Sequence, residues 1–80
     1  MLDMIEKIRD ELVGKYFSNR SELRIMAEGA GLNYVPVEIV AREEKHALAV
    51  LRPRGLRELV VRAERSLAWQ PYYITSVEAR

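Results

Sequence analysis

Apolar and polar positions alternate along this chain with two different periods, and the clearest run is Leu56 to Trp69. Leu56, Leu59, Val60, Ala63 and Leu67 fall at i, i+3, i+4, i+7 and i+11. That spacing places five apolar side chains on one stripe of a helix. Pro53 and Gly55 precede the run and Pro71 follows it, as expected at the ends of a helix. Glu58, Arg62 and Arg65 fall on the opposite face. A first helix is predicted over residues 2–16 from Leu2, Ile5, Ile8, Leu12 and Tyr16, with Asp3 and Glu6 near its positive end and Phe17 as a core anchor. A second begins at Ser18, or at Ser21, as N-cap. It carries Leu23, Met26, Ala27 and Ala30, and stops at Gly31 with Leu32 folding back on the last turn.

Residues 34–52 fit two readings. Val35, Val37 and Ile39 alternate, so Tyr34–Ala41 reads as a strand, with His46–Leu51 as its hairpin partner. Against this, the intervening residues 42–45 lack the Gly, Asn or Asp that tight hairpins favour, and Pro36 confines such a strand to an edge. The other reading is a short turn at 36–41 and a helix at about 43–52, ended by Pro53. The tail fits a strand over 72–75, an extended arm or a short last helix.

Eighty residues form one domain, 1–80, with a thin margin of stability, since a chain this short buries only roughly 60% of its unfolded surface. Apolar residues are 49% and charged residues 31%, a globular composition. No cysteine is present, which removes thiolate chemistry and suits a reducing, cytoplasmic setting. No apolar run approaches the ~18 residues of a membrane helix, and the acidic, amphipathic start is unlike a signal peptide. The net charge of +1 is uneven. Residues 1–40 hold five basic and seven acidic side chains, and residues 41–80 eight basic and five acidic. This asymmetry admits contact between copies. It is small for a dedicated nucleic-acid binder.

Catalytic chemistry is sparse. His46 is the single histidine, near Glu43 and Glu44, but no nucleophile or second histidine accompanies it. No residue set has zinc-ligand spacing, and no glycine pattern forms a phosphate loop. Neither catalytic residues, cofactor nor metal are therefore expected. A helix-turn-helix at residues 18–30 is disfavoured by Glu22 and Glu28 on its outer face. Trp69 with Tyr34, Tyr72 and Tyr73 reads first as the closure of a small core, and otherwise as an exposed anchor for a partner.

The landmarks LeuValGlyLysTyrPhe (12–17), SerGluLeuArgIleMetAla (21–27), GlyLeu (31–32), ValGluIle (37–39), HisAlaLeuAlaValLeu (46–51), GlyLeuArgGluLeuValValArgAla (55–63) and TrpGlnPro (69–71) follow one another in an order that resembles the bacterial effector-associated domains. These are adaptor modules similar to the death-fold superfamily. The resemblance covers roughly residues 8–73 and rests on hydrophobic spacings. It implies an all-α, compact bundle of five or six helices. It also implies an adaptor that couples a sensor or NTPase to an effector in bacterial conflict or antiphage systems, by binding a like domain or a second copy. Charge placement suggests how. Arg57, Arg62 and Arg65 on one copy would meet Asp10, Glu11, Glu43 or Glu44 on another, setting orientation more than affinity. The alternative is a small α+β protein of order αα-ββ-α-β, acting as a nucleic-acid-binding regulator or toxin–antitoxin component.

Overall fold

A computed structural model describes residues 4–32 and 34–80; the expected helix start at Leu2 and Asp3 lies outside them. The elements in chain order are α1 (Met4–Leu12), β1 (Tyr16–Phe17), α2 (Arg20–Gly29), β2 (Val37–Arg42), β3 (His46–Leu51), β4 (Leu59–Glu64) and β5 (Tyr72–Ala79). The strands form one curled antiparallel sheet in the order β1-β5-β4-β3-β2. The expected all-α, death-like bundle is thus corrected: two short helices cover one face of a five-stranded sheet.

Several locally encoded features appear near where the residues place them. Helix α1 buries Ile8 and Leu12 but ends at Leu12, short of the expected Tyr16, which lies in β1; Gly14 follows the helix at a φ of 93°, which suits a residue without Cβ. The cap of α2 falls one residue beyond the expected Ser18. Asn19 is the cap, its side chain accepting from the Glu22 amide at 2.9 Å, while the Glu22 carboxylate accepts from the Ser18 amide at 2.6 Å. This reciprocal pairing satisfies donors that a helix start leaves open. At the far end the Gly31 amide donates to Glu28 and the Leu32 amide to Ala27, at 3.1 and 3.4 Å. Gly31 sits at φ 106°, and Leu32 is buried on the last turn, the Schellman arrangement.

The largest departure is the central stretch. Residues 59–64 form β4, between β3 and β5. Leu59, Val61 and Ala63 point to the helices and are buried, while Arg62 and Glu64 are exposed. The helical stripe breaks down accordingly. Leu56 and Leu67 lie outside the strand and are exposed, and Val61, which the stripe omitted, is fully buried. Three consecutive apolar residues, Leu59-Val60-Val61, satisfy either period over so short a run. Two neighbouring strands decide the matter by pairing Val61 with Ala49 on one side and Val77 on the other.

The hairpin of β2 and β3 forms over 37–51 without glycine. Its connection is held from a distance: the Arg65 amide donates to the Lys45 carbonyl at 2.9 Å, the Arg65 Nε donates to the Glu44 carbonyl, and the Tyr72 hydroxyl donates to the Glu43 carbonyl. Pro36 precedes the strand, where its carbonyl still accepts from the Arg52 amide at 3.0 Å. Register shifts interrupt β2 between Ile39 and Ala41, and β4–β5 at Arg62/Ala63. Both helices and the inner sheet face share one cluster of buried residues, including Ile8, Leu23, Leu51, Leu59, Tyr72 and Ile74. Among the described residues no helix is long and apolar enough to cross a membrane.

Two substitutions separate strand from helix. Val61→Asp places a charge in the core and is expected to unfold the chain, whereas Leu67→Asp is expected to stay within about 0.5 kcal/mol of the parent in urea melts. Leu59→Ala is expected to cost about 2–5 kcal/mol.

Candidate interaction face

The helices cover only the inner side of the sheet, so alternate strand residues line an outer side. Its rows can be read across the strands from the register. Glu38, Val50, Val60 and Glu78 form one row; Leu48, Arg62 and Ser76 the next; His46, Glu64, Tyr73 and Tyr16 the last. Val50 is buried even on this side, and Leu48 and Val60 are half-buried. The middle of the face is therefore apolar and its margins are charged.

One margin is a ladder of alternating charge. Arg52 lies 3.0 Å from Glu58 and 3.8 Å from Glu38, and Arg80 lies 3.5 Å from Glu58. All four side chains are well exposed, so each pair contributes at most about 1 kcal/mol. Their effect is to neutralise that end of the face.

The other margin is aromatic. Tyr16 and Tyr73 meet edge to face with ring centroids 5.2 Å apart. They border a shallow hollow of about 710 Å³ that also involves Lys45, His46, Glu64 and Gln70. A second hollow of about 370 Å³ shares His46 and Glu64, and extends along Leu48 and Arg62 to Thr75. Trp69 stands between these strands, on the β4–β5 connection, and is 79% exposed, with Tyr16 at 59% and Tyr73 at 40%. Trp69 does not close the core, as its first reading had it. Tyr72 takes that place and is 1% exposed.

The residues expected to mediate contacts are dispersed. Arg62 lies within β4, and Arg65 lies just past its end. Arg62 projects from the outer face. Arg65 is half-buried at the edge of the larger hollow, with its guanidinium 4.2 Å from the Tyr72 ring centroid and hydrogen-bonded to Glu44 and Gln70 carbonyls. Arg57 sits on the β3–β4 connection and donates to the Arg80 carbonyl at 3.2 Å. Glu43 joins Arg62 at the smaller hollow, and Glu44 lies exposed at the hairpin tip. Asp10 and Glu11 are exposed on α1, on the helical side of the sheet. Of the seven, Arg62 and Glu43 share the smaller hollow, and Arg65 lines the larger one, which adjoins it through His46 and Glu64.

His46 faces Glu64 in the register, but its ring makes no hydrogen bond among the described residues, so no oriented base is assembled. No group of three His, Asp or Glu side chains among the described residues is placed to hold a metal. Tyr16, Tyr73, Lys45 and Glu64 were not singled out as one surface from the sequence. The signal was period two in TyrTyr at 72–73, which sends one ring into the core and the other to the face.

No family model, curated protein or solved structure matches the chain. Fold and face alone define it as a small α+β module with one open, aromatic-rimmed sheet face.

Arg65→Ala is expected to cost about 1–3 kcal/mol, through the lost ring contact and turn hydrogen bonds, while Arg62→Ala is expected to change stability by less than about 0.5 kcal/mol. Urea denaturation of the two variants checks the assignment. Equal effects would contradict it.

Proposed function

We propose that this chain is a non-catalytic protein-interaction module, associating with a second copy or a like module on another protein through its outer sheet face. One observation chiefly supports the reading. Tyr16 and Tyr73 are paired and exposed at one end of the sheet, and Trp69 is exposed on the β4–β5 connection that leads into Tyr73's strand; tryptophan and tyrosine dominate interface energetics. The charges favour self-complementarity. Arg62 and Glu64 are two residues apart on the same strand face, and a two-fold contact can set each against the other in both directions. With no cysteine, the chain suits a reducing compartment, and we place it in the cytoplasm. The sensor–effector coupling implied by the resemblance rests on spacings that the fold builds partly as strands.

A second reading has its own support. The Tyr16–Tyr73 pair on an open sheet face, near Lys45 and Arg62, resembles a platform on which single-stranded bases stack. It ranks lower because Glu38, Glu43, Glu58, Glu64 and Glu78 share the face with Lys45, Arg52, Arg62 and Arg80, and nucleic-acid binders carry a basic excess.

Sedimentation velocity from micromolar to about 1 mM protein is expected to show reversible association. The double variant Trp69→Ala, Tyr73→Ala is expected to weaken it by at least about tenfold. A monomer throughout that range, or tight oligo-dT binding by the parent protein, would count against the proposal.

A further inference from the structure

A second surface lies at the opposite edge of the sheet. β2 is the last strand in the order β1-β5-β4-β3-β2. Pro36 bonds to Arg52, and Glu38 is paired with Val50, so the alternation of an antiparallel ladder turns the main-chain groups of Val37 and Ile39 away from the sheet. The irregularity between Ile39 and Ala41 limits this open ladder to its first residues, which blunts it against indiscriminate pairing.

Beside those residues is a hollow of about 280 Å³ between α2 and the lead-in to β2, lined by Arg20, Ser21, Arg24, Tyr34, Pro36 and Val37, with Val35 at its back. Its charge comes from the two guanidinium groups. Arg20 has no ion pair among the described residues, and the one partner of Arg24 there is Glu28, at 3.9 Å one turn along the same helix. The neighbouring acids are engaged elsewhere: Glu22 caps Ser18, and Glu38 lies 3.8 Å from Arg52. The α2 start is already capped by Asn19, so the hollow draws its basic character from side chains.

We propose that this edge is a docking site for an extended acidic peptide segment of a partner protein. The segment adds as a strand along Val37–Ile39, and its carboxylates engage Arg20 and Arg24. Arginine forks match carboxylates in planar, bidentate geometry, and strand addition supplies affinity through main-chain bonds. The short ladder is too small to hold a peptide by itself, so the arginines set the selectivity. A nucleic acid satisfies the arginines but cannot use the amide ladder. With the outer face, this site gives the chain two separate binding surfaces, which is what a bridging module requires.

The test is fluorescence anisotropy with a short fluorescein-labelled peptide of alternating Glu and Val, at about 50 mM salt to limit screening. Saturable binding is expected. It should weaken at least about tenfold for Arg20→Glu with Arg24→Glu, and comparably when alternate peptide nitrogens are methylated. Trp69→Ala with Tyr73→Ala should leave it unchanged, which separates this site from the outer face. No saturation by about 1 mM protein, full affinity for the methylated peptide, full affinity in the charge-reversed variant, or displacement by oligo-dT would each overturn the proposal.

Discussion

The fold depends on how Tyr72 is held. Its buried ring lies near two guanidinium groups, Arg65 at 4.2 Å and Arg42 at 5.7 Å from its centroid, and 5.7 Å from the Phe17 ring. Its hydroxyl donates to the Glu43 carbonyl, which satisfies a polar group that would otherwise cost about 1–3 kcal/mol to bury. Four parts of the chain meet at this side chain: β1, the β2–β3 connection, the end of β4 and the start of β5. Arg42 is fixed in turn by its bond to the Ser18 carbonyl at 2.9 Å, which ties the start of α2 to the same node. With Tyr72 inside, the strand period places Tyr73 outside, against Tyr16. The aromatic margin of the outer face is therefore a consequence of the same packing that closes the core.

The features legible in the sequence are the ones settled by neighbours in the chain. The cap region of α2, the Gly31-Leu32 stop and the stripe of Ile8 and Leu12 need only residues within a turn or two. The features that were not legible depend on distant partners. β4 reads as a helix because Leu59, Val60 and Ala63 satisfy that period, and the pairing that makes it a strand comes from Ala49 and Val77. Intrinsic preference is a weak prior against such pairing. The β2–β3 connection looks unsuited to a hairpin until Arg65 and Tyr72, some 20 to 30 residues later, are seen to hold its carbonyls. The resemblance to a helical family rests on the same hydrophobic spacings, which strands satisfy as well.

This change of period also redistributes the charges. A helix would have gathered Arg62 and Arg65 on one side; with β4 ending at Glu64, Arg65 instead lies against the Tyr72 ring at the edge of the larger hollow, and Arg62 is left on the strand beside Glu64. The result is an outer face of mixed sign with an aromatic end, and a separate basic hollow at the β2 edge. Neither surface carries an assembled catalytic group among the described residues. As proposed, the first is self-complementary and the second selects acidic segments. Of the charges expected to mediate contacts, Glu43, Arg62 and Arg65 line the two hollows of the surface on which the functional reading rests.

The most direct test of that reading is a heteronuclear NMR titration of the chain against its own concentration. The account predicts concentration-dependent shifts confined to the amides of Tyr16, His46, Glu64 and Tyr73 and to the Trp69 indole. Shifts clustered instead on α1 and α2, or no shifts up to about 1 mM, would contradict it.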